Sequence, residues 1–269
     1  MTASLEPSRI RNSEEWNDVA AEWLKTLPQQ LWREHSDLVN TALLHRWLPR
    51  SRLNRVLKTD LFDEVVAKGL YQHLALRADE VVALDISPMV SATARRRYPR
   101  LGSFSADVRE IPLSDESVDA IVSLSTLDHF TDKAHIEVAL RELLRVLKRG
   151  GTMILTLDNP ANPVVGLRNR LPYGVTHPLG LVPYPVGRTL GPAEAKLAVT
   201  HAGFQVEECT AIMHAPRVLA IPLMNALDRS SHESRRNRIL RAAMRFEKLE
   251  RYPSRFLTGH FVAIRATRR

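Results

Sequence analysis

VVALDISPMV, residues 81–90, places a run of apolar residues directly before an aspartate, Asp85, and the start of a helix. A continuous apolar run is typical of a strand covered on both faces of a parallel sheet. Ser87 is a favourable N-cap residue and Pro88 suits the first helical turn. Asp85 therefore lies at the carboxyl end of a buried strand, where open parallel sheets bind ligands. It either accepts hydrogen bonds from a ribose diol or only caps the next helix.

The same alternation of strand and helix extends along the chain on both sides of this stretch. The pattern predicts strands over 55–60, 80–85, 102–107, 117–125, 151–158, 204–212 and 256–266, and helices over 63–76, 88–97, 134–148, 192–202 and, in part, 216–250. Strands that alternate with helices indicate right-handed crossovers and a mostly parallel sheet. The predicted fold class is therefore α/β and Rossmann-like, with helices flanking the sheet.

Two segments depart from this alternation. Residues 13–48 show helical spacing of apolar residues and predict an N-terminal helical cap, bounded at 1–50. Residues 159–191 are dense in proline and glycine, and an irregular stretch of this length is typical of a functional loop. We expect it to form a lid or substrate loop within one domain that spans 51–269.

The composition is that of a globular protein and excludes several classes of site. The chain has 269 residues, of which 44% are hydrophobic, and a net charge of +8 that favours acidic partners without identifying any. Its one cysteine, Cys209, excludes an internal disulfide and a multi-cysteine metal site, so no metal is predicted. With no long apolar run and no signal-peptide pattern at the N-terminus, we expect a cytoplasmic protein.

A second acid follows the next predicted strand. Asp107 ends that strand and Val108 comes directly after it. A carboxylate there would hold an adenine amino group against an apolar wall. Alternatively, Asp107 only caps a turn. Acids at two consecutive strand ends, one for ribose and one for adenine, together predict an adenosine pocket.

Four stretches resemble the class I S-adenosylmethionine-dependent methyltransferases. They are VVALDISPMV (81–90), SADVREIPLSDESVDAIVSLSTLDHF (105–130), LRELLRVLKRGGTMILTLDNP (140–160) and AGFQVEECTAIMH (202–214). In order and spacing they cover about 54–212, and FLTGHFVAIRA (256–266) fits the family's seventh strand. The resemblance implies a seven-stranded sheet with an antiparallel last strand, and S-adenosyl-L-methionine as the cofactor. It assigns cofactor contacts to Asp85, Ile86, Asp107, Val108 and Leu124.

The first motif of this family normally has an acid and several glycines, and this chain departs from it. VLKTDLFDEVVAKGL (56–70) has no glycine before Gly69, and Lys58 stands where the acid is usual. Asp60 ends the strand and is predicted to bind the cofactor's amino group instead. The alternatives are a remodelled loop that holds the cofactor differently and a protein that no longer binds it.

His129 is the predicted catalytic residue. It follows the fourth strand, close to where the resemblance places the methyl group, and histidine is suited to removing a proton at neutral pH. Its alternative is a structural or cofactor-packing role. Asp128 would orient it or face solvent. His35 and Asp37 would fold over the pocket or lie in a solvated loop, and His177 would touch substrate or be exposed.

The acceptor is less constrained by the sequence. Most aromatic residues outside the sheet region lie in the cap and the long loop: Trp16, Trp23, Trp32, Trp47, Tyr173 and Tyr184. They favour an apolar or planar small molecule, a metabolite or lipid-like acceptor, or else they are core residues of the cap. A catalytically inactive binding or scaffold protein and an RNA or protein methyltransferase are the alternatives.

The segment 229–255 is a basic amphipathic helix by its pattern. Such a helix contacts a membrane surface peripherally, or packs on the sheet with its charges solvated. No RNA-binding module is present in the sequence, so nucleic acid is not favoured as a partner. The sequence leaves the oligomeric state open.

Overall fold

The computed structural model describes residues 13–171, 173–176, 187–228 and 233–269. Seven strands form one sheet: β1 (Leu53–Lys58), β2 (Ala78–Asp85), β3 (Gly102–Ser105), β4 (Val118–Leu124), β5 (Leu147–Asp158), β6 (Phe204–Ile212) and β7 (Phe261–Arg268). Their order is β3-β2-β1-β4-β5-β7-β6. All pairs from β3 to β5 are parallel, and β7 runs antiparallel to both β5 and β6. The predicted mostly parallel, seven-stranded sheet with an antiparallel last strand is confirmed.

Twelve α-helices accompany the strands in the described ranges. They are α1 (Ser13–Thr26), α2 (Gln30–Trp47), α3 (Phe62–Val66), α4 (Tyr71–Ala75), α5 (Pro88–Arg97), α6 (Lys133–Val146), α7 (Pro163–Arg170), α8 (Tyr173–Thr176), α9 (Pro192–His201), α10 (Arg217–Asp228), α11 (Glu233–Met244) and α12 (Arg255–Thr258). Turns of 3-10 helix cover Leu127–His129 and Arg245–Arg251. None of the helices in these ranges is long and apolar enough to cross a membrane.

The core consists of two apolar clusters, one on each face of the sheet. Successive strand residues alternate between them: Val56 and Ala83 belong to one cluster, Leu57 and Leu84 to the other. This follows from the period of two along a strand, which points neighbouring side chains to opposite faces. Because both faces are covered, the strands appear in the sequence as continuous apolar runs.

Several element boundaries differ from the sequence predictions; strand β5, for example, begins at Leu147 rather than at 151. The predicted helix 63–76 is two short helices, α3 and α4, because the chain turns through Gly69 at φ +66°. Helix α2 begins at Gln30 rather than near 36, directly after Gln29, which adopts a left-handed conformation. Strand β7 begins at Phe261 because the preceding residues form the short helix α12.

The prediction of one amphipathic helix over 229–255 is wrong, because α11 ends at Met244 and a 3-10 turn over Arg245–Arg251 follows it. Leu240 and Ala243 of α11 are buried in the cluster that also contains the α2 side chains, while Phe246 is 44% exposed. Arg236 donates a hydrogen bond to Glu34 of α2 at 3.0 Å. The inner face of α11 therefore contacts α2 within the cluster that covers one face of the sheet.

Candidate functional site

A cavity of about 240 Å³ lies over the carboxyl ends of β1, β2, β4 and β5. Parallel strands expose these ends at one edge of the sheet, where ligand sites of this architecture form. All seven residues predicted from the sequence line it: Asp60, Asp85, Ile86, Asp107, Val108, Leu124 and His129. The fold thus brings the predicted residues of four separate stretches to one space.

Asp85 ends β2 and is tied to two backbone amides. Its Oδ1 accepts from the N–H of Ser87 at 2.8 Å, and its Oδ2 accepts from the N–H of Leu61 at 3.0 Å. The helix cap is Ser87 itself, whose Oγ accepts from the N–H of Val90. Burial raises the pKa of Asp85 to about 7, against the lowering effect of the two amides. Each carboxylate oxygen keeps a second lone pair, so Asp85 can also accept from a ligand.

Asp107 is bound by Arg109, a residue that the sequence analysis did not single out. Its Oδ1 accepts from the backbone N–H and the Nε of Arg109 at 2.8 and 2.9 Å, and its Oδ2 accepts from Nη2 at 2.5 Å. Burial alone would raise the pKa of Asp107, but Arg109 outweighs it and the pKa is lowered. Asp107 is therefore a charged acceptor that is already partly satisfied.

The glycine-poor loop after β1 is built around a buried lysine. Lys58 Nζ donates to the carbonyl of Asp60 at 2.7 Å, to Asp60 Oδ2 at 2.9 Å and to Glu64 Oε2 at 2.9 Å. Although burial lowers the pKa of Lys58, the two carboxylates raise it overall, so the ammonium stays charged. Glu64 is fully buried, and its Oε1 accepts from the N–H groups of Leu70 and Tyr71 at 2.9 and 3.2 Å. Side-chain bonds therefore fix this loop.

Asp60 is the member of this network that faces the cavity. Its side chain is 23% exposed, whereas that of Lys58 is only 3% exposed. Lys58, which replaces the usual acid, thus points inward to Glu64, and Asp60 presents a carboxylate to the cavity instead.

His129 lies in the 3-10 turn that follows β4, with its ring against the N-terminal helix. The edge of its imidazole meets the Trp16 ring at a centroid distance of 4.9 Å and an interplanar angle of 72°. The backbone bends sharply just before this turn, since Ser125 adopts a left-handed φ of 51°. Such strained positions are frequent at ligand sites.

Asp128 does not face solvent. Its carboxylate is buried, accepts from Ser125 Oγ at 3.0 Å and accepts from the backbone N–H of Asp158 at 2.9 Å. Burial, and then the neighbouring Asp158, raises the pKa of Asp128. Its hydrogen bonds join the ends of β4 and β5.

Helices α1 and α2 cover the cavity. Trp16 of α1 and Trp32, Arg33, Ser36 and Asn40 of α2 are among the lining residues. Trp23 and Trp47 are instead buried in the core, as the core-packing alternative expects. Tyr184 and His177 lie outside the described residues, as does the side chain of Tyr173.

His35 and Asp37 lie within α2, so the expectation of a solvated loop is wrong. His35 is fully buried, and burial lowers its pKa to about 4. Asp37 accepts from the N–H of Gly69 at 3.2 Å, and burial raises its pKa to about 7. Neither residue is among those that line the cavity, and Asp37 ties α2 to the turn at Gly69.

A polar cluster that the sequence analysis missed lines the far end of the cavity. It contains Asp158 at the end of β5, Arg168 of α7 and Arg217 at the start of α10. Asp158 ends a predicted strand in the same way as Asp85, and this signal was sufficient to find it. No local pattern marks the two arginines, because they come from distant segments.

No group of three or more His, Cys, Asp or Glu side chains in the described ranges is arranged to hold a metal ion.

The chain is similar to several known methyltransferases. Residues 67–155 match the family model described as "Methyltransferase domain". The chain is 28% identical over 195 residues to a protein of Mycolicibacterium smegmatis named a probable S-adenosylmethionine-dependent methyltransferase, covering 71% of this chain and 67% of that one. A Mycobacterium tuberculosis protein of the same name is 29% identical over 145 residues, which cover 54% of this chain and 48% of the relative.

Solved structures agree on the fold. The methyltransferase in a complex with the Haloferax volcanii Trm112 methyltransferase activator superposes with a TM-score of 0.59 at 21% identity, over 96% of this chain and 99% of that one. The strand order, the carboxylates at the strand ends and these sequence matches converge on one family. The fold and the match over residues 67–155 support a class I S-adenosylmethionine-dependent methyltransferase.

Proposed function

We propose that this chain transfers a methyl group from S-adenosylmethionine to a small-molecule acceptor, a metabolite or lipid-like compound, by direct displacement. The observation that carries the proposal is the roofed cavity in which Asp60, Asp85 and His129 face the same space. A concave, covered space of about 240 Å³ favours a small acceptor over the surface of a folded macromolecule.

The donor set around the cavity fits the cofactor. Asp85 has acceptor capacity left for the ribose hydroxyls, and Asp60 presents a negative charge that suits an ammonium group. Ile86 and Val108 supply apolar walls for adenine, with the Asp107 carboxylate beside them. When bound, S-adenosylmethionine supplies an electrophilic methyl group on a sulfonium sulfur.

The protein's own residues position the acceptor and remove its proton. The α1 and α2 roof excludes water and orients the acceptor, an effect worth several kcal/mol, about 7–11 in ideal cases. An imidazole nitrogen of His129 accepts the proton of the acceptor's oxygen or nitrogen. The edge contact with Trp16 holds the His129 ring toward the cavity.

The organisation into a cap at 1–50, a methyltransferase domain at 51–269 and a lid at 159–191 is part of this proposal. Its support is the position of residues 187–191, the last part of the lid. The backbone N–H of Arg188 donates to the carbonyl of Phe130 at 2.6 Å, and Thr189 Oγ1 donates to the carbonyl of Asp158. The segment thus closes against the ends of β4 and β5.

Calorimetric titration with S-adenosylmethionine and with S-adenosylhomocysteine tests the proposal. Micromolar binding of either, weakened in Asp85→Ala, supports it and leads to an acceptor screen. No binding at millimolar ligand by folded protein would favour the inactive binding-protein alternative. The other alternative, methylation of RNA or protein, is supported by the net charge of +8. It predicts salt-dependent binding to a polyanion and transfer of the methyl group to it.

A further inference from the structure

The loop after β1 holds the backbone of Asp60 from both sides. The N–H of Thr59 donates to the carbonyl of Val122 in β4 at 3.2 Å, and the N–H of Leu61 donates to Asp85 Oδ2 at the end of β2 at 3.0 Å. Strands β2 and β4 are the two neighbours of β1 in the sheet. Asp60 therefore lies between two residues that are tied to the strands beside it, at the edge of the sheet that borders the cavity.

Lys58 fixes the carbonyl and the side chain of Asp60. Its ammonium donates to the Asp60 carbonyl at 2.7 Å and to Asp60 Oδ2 at 2.9 Å. The donor is buried and only two positions earlier in the chain, so both groups of Asp60 are held in one arrangement. A carboxylate offers about four acceptor sites, and the bond from Lys58 uses one of them. Asp60, whose side chain is 23% exposed, can therefore also accept from a cationic group in the cavity.

Glu64 holds the lysine in this position. Its Oε2 accepts from Lys58 Nζ at 2.9 Å, while its Oε1 accepts from the N–H groups of Leu70 and Tyr71 at 2.9 and 3.2 Å. Because Glu64 is fully buried and both of its oxygens accept from donors, it anchors Lys58 against the start of α4. The contacts run without a break from α4 through Glu64 and Lys58 to Asp60.

This arrangement uses side chains where a glycine-rich loop would use its backbone. Glycine lets a backbone come close to a ligand, and residues 56–68 contain none. The ammonium of Lys58 would weaken the attraction of Asp60 for a second cation, but Glu64 places an opposite charge beside it. Further charged side chains surround the three residues: Arg33 with its partner Asp63, and Asp37, Asp85 and Arg97.

We propose that Lys58 is a positioning residue for cofactor binding: anchored by Glu64, it holds the Asp60 carboxylate where that carboxylate binds the ammonium group of S-adenosylmethionine. The inference rests on the proposed function and identifies the residues that replace the glycine-rich loop usual in the first motif. The three N–H donors of the Lys58 ammonium are all used within the loop. Lys58 therefore acts through Asp60 and not on the cofactor directly.

Two ligands that differ in the amino-acid part test the inference. S-adenosylhomocysteine carries the ammonium group, whereas 5′-methylthioadenosine keeps the adenosine and the thioether sulfur and lacks that group. Both are titrated calorimetrically into the full chain and into Lys58→Met/Glu64→Gln. This variant removes one positive and one negative charge, so the net charge of the loop does not change. A second variant, Lys58→Gln/Glu64→Gln, has the same net charge and leaves a polar group in the buried site.

The matched control is Lys25→Met/Glu22→Gln. It makes the same replacement in an ion pair of α1 whose side chains are 72% and 65% exposed. Its affinity for both ligands is expected to equal that of wild type.

S-adenosylhomocysteine is expected to bind both Lys58/Glu64 variants at least about tenfold more weakly than wild type, while the affinity for 5′-methylthioadenosine changes by less than about twofold. A merely structural role of Lys58 would weaken both ligands or neither. Asp60→Asn should show the same selective loss. Adding Lys58→Met/Glu64→Gln to Asp60→Asn should then change the affinity for S-adenosylhomocysteine by less than about twofold, because Lys58 acts through Asp60.

Equal loss for both ligands, no loss in a folded Lys58/Glu64 variant, or an unchanged affinity of Asp60→Asn for S-adenosylhomocysteine overturns the inference. In each of these cases S-adenosylhomocysteine still binds wild type, and the proposed function stands. Failure of S-adenosylhomocysteine to bind wild type refutes the proposed function, and this inference with it.

Discussion

Replacing Lys58 with methionine is expected to lower the free energy of unfolding by about 3–5 kcal/mol. The lysine is 3% exposed and its three donors go to Asp60 and Glu64. Glu64 is fully buried, so the variant leaves a carboxylate in the interior with only the N–H groups of Leu70 and Tyr71 for partners. Removing one partner of a buried ion pair costs this much because the remaining charge is desolvated and uncompensated.

Urea denaturation of wild type and Lys58→Met measures the loss. The double variant Lys58→Met/Glu64→Gln is expected to recover most of it, because the amide oxygen still accepts from Leu70 and Tyr71 without a charge. The control is Lys25→Met, which breaks an ion pair with Glu22 whose side chains are 72% and 65% exposed. Such an exposed pair contributes about 0–1 kcal/mol.

The pH dependence gives an independent check on the cause. Burial already raises the pKa of Glu64 in wild type, against the lowering effect of Lys58. Removing Lys58 raises this pKa further, so the folded variant binds a proton more readily. The deficit relative to wild type is therefore expected to shrink as the pH falls from about 8 to about 5. A free energy of unfolding of Lys58→Met within about 1 kcal/mol of the wild-type value would refute the reasoning. So would a difference between the two proteins that does not change with pH.

Three further predictions concern the cavity and the loop beside it. Asp85→Ala is expected to weaken S-adenosylhomocysteine binding by about 1–3 kcal/mol, and unchanged affinity would mean that the ribose lies elsewhere. The pKa of Asp85 is raised to about 7, and ribose hydroxyls donate to its charged form. The affinity of wild type for S-adenosylhomocysteine, measured by calorimetry, should therefore fall about tenfold from pH 8 to pH 6. The affinity of Asp85→Asn should depend less on pH. His129→Ala should slow turnover with cofactor affinity nearly intact, and full activity would remove it from the mechanism. Gly69→Ala should cost more stability than Gly150→Ala. Both glycines have a positive φ, but only at Gly69 would an added Cβ meet the Glu64 carboxyl, at 2.7 Å. Equal midpoints of urea denaturation for the two variants would contradict this.

The strand ends show what could be predicted locally. Asp85 was identified because it directly follows an apolar run, and Asp107 because it ends the next short predicted strand; both patterns depend only on neighbours in the chain. Lys58 was recognised as a departure from the family pattern, but Glu64, which forms a buried ion pair with it, was not identified. Glu64 lies six positions further on, and its burial depends on how α3 and α4 fold back on β1.

The end of the cavity beside β5 illustrates the limit more clearly. Arg217 and Asp158 are 59 positions apart in the chain, and both line the cavity because β7 inserts between β5 and β6. A sequence shows no periodicity for such a pair, since neither residue belongs to a motif. His35 was misjudged for a related reason: the start of α2 is set by the left-handed turn at Gln29 and by burial against the core, which are tertiary effects.

The sequence by itself determined the fold class, the antiparallel last strand implied by the family resemblance, and the two acids predicted to bind the cofactor, Asp85 at the end of β2 and Asp107 shortly after β3. Each is encoded by residues adjacent in the chain, because hydrophobic periodicity and capping act over a few positions. Only the tertiary structure decided the inward turn of Lys58, the burial of Asp128 and the gathering of Asp158, Arg168 and Arg217 along one cavity. These depend on which side chains share a space without water, and that is fixed by packing between distant segments.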